Sequence, residues 1–486
     1  MERWVVVTII IAAYLALTLT IGLLAGRKSS QSVAGYVAAD RSFGLVVMYF
    51  VTGASVFSAF AFLGGPGWAY SRGAAAFYIL AYGALGMAPF YWIGPRVASL
   101  GRKFGYVTQA QLITGRFPSR TLSATIALLS LVAFVPYVTL QMRGAGIVIE
   151  AVTDGHVPLW LGALVSYGVV VVYVLAAGAM AVGWTNTFQG IFMVVIAWTL
   201  GLYLPHRLYG GIGEMFTQIA AVKPELLTPP GLGANGEPWT WGAYSTFILV
   251  SAVGLMMWPH LFMKAFNAKD DDTLRRTVML FPTFQLFLIP VLLIGFAGVL
   301  FTGGAPPSAD FILPFMILET NLPSIVVGLF CAGALSASMS TGDALLHASA
   351  SVLVEDGVTK FVDLSERAQR ALMRATVLLT GVVAYYFALD PDSSLVLLLA
   401  SAYGIISQFA PPVVAALYWR RATTAGVLAG LIAGTATAFF FWQNPGWKPF
   451  DMHEGILGLI VHVPVLIAVS FATPVQDEDH VASFVS

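Results

Sequence analysis

The residues of this 486-residue sequence best suited to chemistry lie in the segment GALSASMSTGDALLHASA. Ala337, Ser340 and Thr341 are spaced i, i+3 and i+4, so a helix would place them on one face. Two hydroxyl groups beside a backbone carbonyl offer neutral oxygen ligands, which suit hard cations. A small monovalent cation held there would bind loosely enough to leave again. The alternative is that these small residues only permit close helix packing, or that the hydroxyls bond back to the preceding turn.

The segment from Gly44 to Tyr70 supplies further ligands in this interpretation. It is apolar and long enough to cross a bilayer, yet it contains residues that loosen or interrupt a helix: Gly53, Ser55, Ser58, Gly64, Gly65, Pro66 and Gly67. Backbone groups freed in hydrocarbon cost several kcal/mol unless protein or a cavity satisfies them, so a broken membrane helix indicates a binding site. Its released carbonyls and the negative end of a half-helix dipole are natural cation ligands.

The composition indicates a membrane protein. Hydrophobic residues make up 58% of the chain, charged residues 10%, and the mean hydropathy is +0.82, values that water-soluble domains do not show. The apolar segments are continuous rather than alternating, which favours helices over a barrel. The single cysteine, Cys331, excludes a disulfide framework or a cysteine metal site. Nothing resembles a basic arm for nucleic acid.

The apolar segments predict about thirteen transmembrane helices. With the N-terminus outside, 18 of the 24 Lys and Arg fall in cytoplasmic loops and 5 in outer loops, as the positive-inside rule requires. The odd number of spans places the C-terminus in the cytoplasm of a multi-pass protein of the plasma or inner membrane. The expected partners are the bilayer and a small solute, and no obligatory protein partner is indicated.

A second interruption follows five spans after the first, within the segment from Ile248 to Phe262. There, Gly254 and the run from Met257 to His260 break the apolar pattern. Two interrupted helices in corresponding positions indicate an inverted repeat with a binding site at the repeat interface near mid-membrane. Because five is odd, the second repeat has the opposite topology.

Several motifs in order resemble those of the sodium:solute symporter family, which includes proline, pantothenate, monocarboxylate, sugar and sialic-acid permeases. The resemblance covers nearly the whole chain and includes YVAADRSFG, GASVFSAFAFLGGPGWAY, GRKFGYVTQAQLITGRF, AVGWTNTFQG, WPHLFMKAFNAKD, ALSASMSTGD and PPVVAALYWRRATTAGVLAG.

The resemblance implies an all-α polytopic fold with the ten-helix inverted repeat of leucine-transporter-like carriers, preceded by one extra helix and followed by two. In this chain, residues 1–43 then form the first extra helix and a cytoplasmic loop. Residues 44–207 form the first repeat, 208–240 an extracellular loop and 241–419 the second repeat. Residues 420–486 form the two last helices and a cytoplasmic tail.

The resemblance also implies Na+ as the coupling ion. Its site would use the main-chain oxygens of Ala54 and Phe57, the carbonyl of Ala337 and the hydroxyls of Ser340 and Thr341. This set includes the helix face described above.

One departure from the family pattern concerns Asn186. The family commonly has WTD where this chain has Trp184-Thr185-Asn186. An amide in place of a carboxylate removes a negative charge near the cytoplasmic exit or a further ion site. We therefore expect no second Na+, and proton coupling stays an alternative.

Arg143, in VTLQMRGAGIV, is predicted to lie well inside a span, where a charge is costly and functional by default. A carboxylate solute would be a natural counter-ion. The alternatives are a structural pair with Asp343 or Glu150, or contact with lipid headgroups.

Other polar residues are candidates for solute or ion contact. Asp343 and His347, at i and i+4, could relay ions or protons to the cytoplasm or form a surface pair at the membrane edge. Gln141 and Gln408, both predicted to lie inside spans, could bind solute or tie helices together. The candidate solute contacts other than Arg143 are Ser55, Ser58, Gln141, Trp258, Pro259, His260 and Gln408.

The sequence therefore predicts a secondary active importer and no enzyme, since no metal-ligand spacing or nucleophile elbow is present. The predicted activity is Na+-coupled symport of a small organic solute, with a monocarboxylate-type anion favoured by Arg143. The alternatives are a sodium- or proton-coupled symporter for an amino acid such as proline or for pantothenate, a transporter-like membrane sensor, and a passive channel.

Overall fold

The computed structural model describes residues 2–27, 32–390 and 402–485, and these are helical almost throughout. The α-helices of the first half are Arg3–Gly26, Val33–Ala38, Leu45–Val56, Gly65–Arg72, Tyr78–Met87, Phe90–Phe104, Gln109–Arg116, Arg120–Val152, Leu159–Ala177, Ala179–Tyr209 and Ile212–Val222. Those of the second half are Trp241–Gly254, Pro259–Phe262, Lys264–Asn267, Asp271–Gln285, Leu288–Gly298, Ile312–Glu319, Ser324–Ser351, Glu366–Ala388, Ala410–Tyr418, Thr424–Gln443, Glu454–Ala472 and Glu478–Ala482.

The first interruption lies within residues 45–72, hereafter the first broken helix. Its first half ends at Val56, Phe57 is extended (φ −97°, ψ 99°), and the chain bends by 58° at this break. The second half begins with a π-helical turn, Phe60–Gly64. This wide turn precedes Pro66, which cannot donate a backbone hydrogen bond to the preceding turn.

The second interruption lies within residues 241–267, hereafter the second broken helix. A tight turn, Leu255–Met257, leads to Trp258, which leaves the helical region (φ −55°, ψ 123°). The following proline disfavours helical geometry at Trp258, and the halves are bent by 51°. Both interruptions expected from the sequence are thus confirmed.

The helix Ser324–Ser351, hereafter the hydroxyl helix, lies at the centre of the bundle. Its apolar window is 83% buried, the highest share among the apolar helices that the structure describes. It packs against Arg120–Val152, Ala179–Tyr209, Arg3–Gly26 and the first broken helix. Its small residues allow close approach, since a Cβ at Gly342 would lie 2.2 Å from the Tyr167 hydroxyl oxygen.

The predicted outer loop, 208–240, is an ordered cap. Its helix Ile212–Val222 packs against Leu288–Gly298. Beyond it, the Leu232 amide donates to the carbonyl oxygen of Arg72 at 3.0 Å. The cap therefore covers the end of the first broken helix.

The tail after the last long helix packs back onto the bundle. Phe484 is buried and stacks on Phe104 with ring centroids 5.1 Å apart. The Arg420 guanidinium donates to the carbonyl of Val485 at 3.3 Å. The side of the membrane on which this tail lies stays a prediction.

Among the described residues, nine helices are long and apolar enough to cross a membrane, or eleven when each bent pair counts as one span. The sequence predicted thirteen spans, two more than these eleven. It divided the segment that ends at Met87 into two spans, and it counted a span from Leu395 to Tyr418. Residues 395–401 of that predicted span lie outside the described residues, and Ala402–Tyr418 is a shorter apolar helix. The count of thirteen stays a prediction.

The first broken helix is held in place by close contact at Gly295. A Cβ there would lie 2.3 Å from the Pro66 carbonyl oxygen and 2.7 Å from the Ala69 Cβ. We expect Gly295→Ala to cost about 1–3 kcal/mol through overpacking, seen as a lower midpoint of thermal unfolding in detergent. Gly168→Ala is the matched control, because no atom of the described residues lies within 4 Å of its added Cβ. Equal midpoints for both variants would contradict this packing.

Candidate ion and solute site

Ser340 and Thr341 meet the main chain of the first broken helix. The Ser340 hydroxyl donates to the Ala54 carbonyl at 2.9 Å. The Thr341 hydroxyl lies 3.2 Å from the Ser55 carbonyl oxygen and 3.4 Å from that of Ala54. All four residues have an exposed fraction of 0%, so water does not compete for these groups.

The set contains more oxygen atoms than donated protons. The Ser340 hydroxyl is also 3.3 Å from the Ala337 carbonyl oxygen. Two hydroxyl protons are therefore available to three carbonyl and two hydroxyl oxygens, of which the Ala337 carbonyl also accepts an amide bond within its helix. Buried oxygen lone pairs that accept no hydrogen bond favour a cation, and neutral oxygen ligands suit a hard cation.

Phe57, the remaining predicted ligand, anchors the break through its side chain. Its ring stacks on Phe281 and Phe284, with centroids 5.7 and 5.8 Å apart. Its amide donates the last helical bond of the first half, to the carbonyl of Gly53 at 3.1 Å. The role of its carbonyl as a ligand stays a prediction.

Gln141 diverts the amide that would continue the helix. The Ala59 N–H, which in an unbroken helix would bond to the Ser55 carbonyl, donates instead to Gln141 Oε1 at 2.9 Å. The Ser55 carbonyl is thereby released to face Thr341. Gln141 thus ties helices together, the alternative considered for it from the sequence.

Ser58 starts the second half of the broken helix. Its hydroxyl accepts from the Phe60 amide at 3.2 Å, and its carbonyl accepts from the Ala61 amide at 2.9 Å. These bonds are those of a helix cap.

Asn186 bridges the broken helix and the hydroxyl helix. Its Nδ2 donates to the Ser55 hydroxyl at 3.1 Å and to the Ser340 carbonyl at 2.8 Å. A carboxylate has no proton to give when ionised, so an aspartate could not make both bonds. The amide fixes the separation of the two elements that carry the candidate ligands.

Asp343 and His347 are both buried, with exposed fractions of 0% and 5%. The alternative of a surface pair at the membrane edge is therefore wrong. Asp343 Oδ2 accepts from the Tyr173 hydroxyl at 2.8 Å and the Thr185 hydroxyl at 3.1 Å. The His347 ring bonds to the carbonyl of Tyr36 at 2.9 Å.

Arg143 lies within the long helix Arg120–Val152 and has an exposed fraction of 9%. This burial argues against the headgroup alternative. Asp343 Oδ2 accepts from the two hydroxyls described above, and Arg143 is a buried cation two residues after Gln141 on its helix.

Trp258, Pro259 and His260 are buried at the second break. The Trp258 ring packs on Tyr137 and Tyr403, with centroids 4.8 and 5.6 Å apart. The short helix Pro259–Phe262, which contains His260, contacts the first half of the first broken helix. The two breaks therefore meet, as a site at a repeat interface requires.

Gln408 lies away from this cluster. Its Nε2 donates to the Gly455 carbonyl at 2.9 Å, and its Oε1 lies 3.2 Å from His462 Nδ1. These bonds connect the C-terminal helices, so Gln408 takes the helix-tying role that the sequence left open.

The sequence pattern does not single out Lys264, which the positive-inside count places in a cytoplasmic loop. It has an exposed fraction of 7% and begins the last turn of the second broken helix. The available signal was its position, since it is the first charged residue after the apolar run that contains the second break.

Two broken helices that meet beside a buried set of oxygens define a cation-coupled carrier. The family model described as "Sodium:solute symporter family" matches residues 36–434. The chain belongs to the sodium:solute symporter family.

The relatives match most of the length of the chain. An uncharacterized symporter of Bacillus subtilis, YhjB, is 30% identical and covers 96% of both chains. A monocarboxylate transport permease protein of Rhizobium johnstonii is 25% identical, over 90% of each chain. Sodium/pantothenate and proline transporters also match over most of the chain.

A solved structure of similar fold is described as the substrate-bound outward-open state of a Na+-coupled sialic acid symporter. It has a TM-score of 0.80 and 16% identity, and it covers 97% of this chain and 99% of that chain. The fold is therefore that of the leucine-transporter-like Na+ symporters. Na+ as the coupling ion, placement in the membrane and the assignment as a transporter rather than an enzyme are confirmed.

The face of the hydroxyl helix that carries Ala337, Ser340 and Thr341, hereafter the ion face, can be tested by substitution. We expect Ser340→Ala or Thr341→Ala to raise the Na+ concentration for half-maximal uptake about tenfold, because each loses one oxygen worth roughly 1.4 kcal/mol. Ser336→Ala is the control, since its hydroxyl lies on the same helix but donates to Tyr14. Uptake is measured in proteoliposomes over a Na+ series at constant ionic strength. An unchanged Na+ requirement in both test variants would reject the proposed shell.

Proposed function

We propose that this protein imports a small organic anion of the monocarboxylate class together with Na+. The observation that carries the proposal is the excess of lone pairs where the first broken helix meets the hydroxyl helix. Two hydroxyls and three carbonyls converge there without exposure to water. Such a set fits a hard monovalent cation.

Na+ couples to the solute because its ligands come from two elements. Ala54 and Ser55 belong to the first broken helix, and Ser340 and Thr341 to the hydroxyl helix. Binding of Na+ turns the hydroxyl lone pairs towards the ion and joins both elements. The break next to Ser58 is thereby fixed in one geometry, and the solute pocket is preorganised. A coupling free energy of about 1–3 kcal/mol suffices for strong Na+ dependence.

The solute class is inferred from one buried charge and from the aromatic side chains at the second break. Arg143 is a buried guanidinium, and guanidinium groups pair with carboxylates through two parallel hydrogen bonds. Trp258 and Tyr137 add an aromatic wall at the second break. A small anion with an apolar body would complement these groups. The other candidate solute contacts are Ser55, Ser58, Pro259 and His260.

The similarity to a monocarboxylate permease supports this class. The second candidate is an amino acid such as proline, or pantothenate, since relatives with these names match over most of the chain. Each of these solutes also carries a carboxylate, so Arg143 serves the same purpose in either case. The size of the apolar body would distinguish them.

Arg143→Gln tests the solute assignment. We expect it to lower uptake of labelled lactate, pyruvate or acetate at least tenfold, because the carboxylate loses its counter-charge, while binding of radioactive Na+ persists. Arg276→Gln is the control, as Arg276 forms an exposed ion pair with Asp272. Purified protein in proteoliposomes with an imposed Na+ gradient is assayed with these anions and with proline, pantothenate and glucose. Normal anion kinetics in Arg143→Gln, or wild-type uptake of glucose alone, would overturn the assignment.

A further inference from the structure

Lys264 places a cation inside the protein next to the breaks. It lies in the short helix Lys264–Asn267 at the end of the second broken helix, with an exposed fraction of 7%. A charge in a membrane-spanning segment is expensive and is retained where it pairs with another group or serves function. No direct ion pair joins Lys264 to another residue in the described part of the chain.

Lys264 lines a small cavity between the second broken helix and the hydroxyl helix. The cavity has room for about one water molecule, and its polar lining residues are Lys264, His260, His347 and Asn267. Ala344, the residue after Asp343, also lines it. The lysine thus faces the turn of the hydroxyl helix that carries the buried carboxylate.

Asp343 is the buried carboxylate that a nearby cation would stabilise. Its Oδ2 is bonded to Tyr173 and Thr185, but its Oδ1 has no hydrogen-bond partner among the described residues although it is fully buried. Lys264 is the lysine that lines the cavity beside Ala344, the chain neighbour of this carboxylate. An uncompensated buried carboxylate costs several kcal/mol.

We propose that Lys264 is a tethered cation that takes the place of a second coupling ion. Its ammonium neutralises Asp343 across the cavity, so the region below the ion face binds no Na+ of its own. The oxygens there, from Asp343, Tyr173 and Thr185, are hard ligands that would attract Na+ if the lysine were absent. The inference rests on the single Na+ site of the proposed function and sets its stoichiometry.

Charge balance over the cycle follows from this arrangement. Asp343 lies on the hydroxyl helix and Lys264 on the second broken helix, and their charges cancel within the protein. One Na+ moving with one monocarboxylate then carries no net charge across the membrane. Transport is therefore electroneutral.

The test counts Na+ ions bound per chain. Purified wild type and variants in lipid nanodiscs are titrated with radioactive Na+ at constant ionic strength, without any organic solute. We expect Lys264→Met to bind one Na+ more per chain than wild type, because Asp343 then recruits an ion. The double variant Lys264→Met with Asp343→Asn should return to the wild-type number. Lys269→Met is the control, since Lys269 is exposed.

An unchanged number in Lys264→Met, or an extra ion retained in the double variant, would overturn the inference. If Lys264→Met is unfolded without Na+, we expect Na+ to restore monodisperse protein, and the double variant to fold without it. The inference would also be overturned if Na+ did not restore Lys264→Met and the double variant did not fold without Na+. A wild type that binds no Na+ would reject the ion face of the proposed function, while the difference of one ion would still test Lys264.

Discussion

The structure depends on where the main-chain oxygens of the first broken helix find partners. A helix that opens inside a bilayer leaves carbonyls and amides that water cannot reach. Here the Ser55 carbonyl faces the hydroxyl of Thr341, while the Ala59 amide bonds to Gln141. The break is thus satisfied on both sides by neighbouring helices. It can persist without unfolding, and its oxygens stay available to an ion.

The surrounding helices hold the first broken helix and the hydroxyl helix in contact. The hydroxyl helix is enclosed by other helices rather than by lipid, so its small polar residues meet protein groups. Asn186 bonds to both elements and sets their separation. Asp343 and Lys264 place opposite charges on two separate elements, the hydroxyl helix and the second broken helix. The oxygen set and the charge pair lie along the same helix, which makes the hydroxyl helix the shared wall of both.

Local sequence signals predicted the main features of the fold and the ion face. Glycine and proline marked both breaks because they lack either a side chain or a backbone donor, and the spacing of Ser340 and Thr341 put both hydroxyls on one face. Contacts between distant segments left no such signal. The bond from Ala59 to Gln141 joins residues 82 positions apart, and hydrophobic periodicity contains no information about it. Lys264 was misplaced because a charge after an apolar run resembles the start of a loop.

The most direct measurement is hydrogen exchange of the peptide that spans residues 52–63, compared in Na+ and in K+ at equal ionic strength. If Na+ joins the open turn to the hydroxyl helix, exchange of the amides around Phe57 and Ser58 slows in Na+. The same peptide in the double variant Ser340→Ala with Thr341→Ala shows no such slowing. Equal exchange in both salts for the wild type, or an equal Na+ effect in that variant, would contradict a Na+ site at the break.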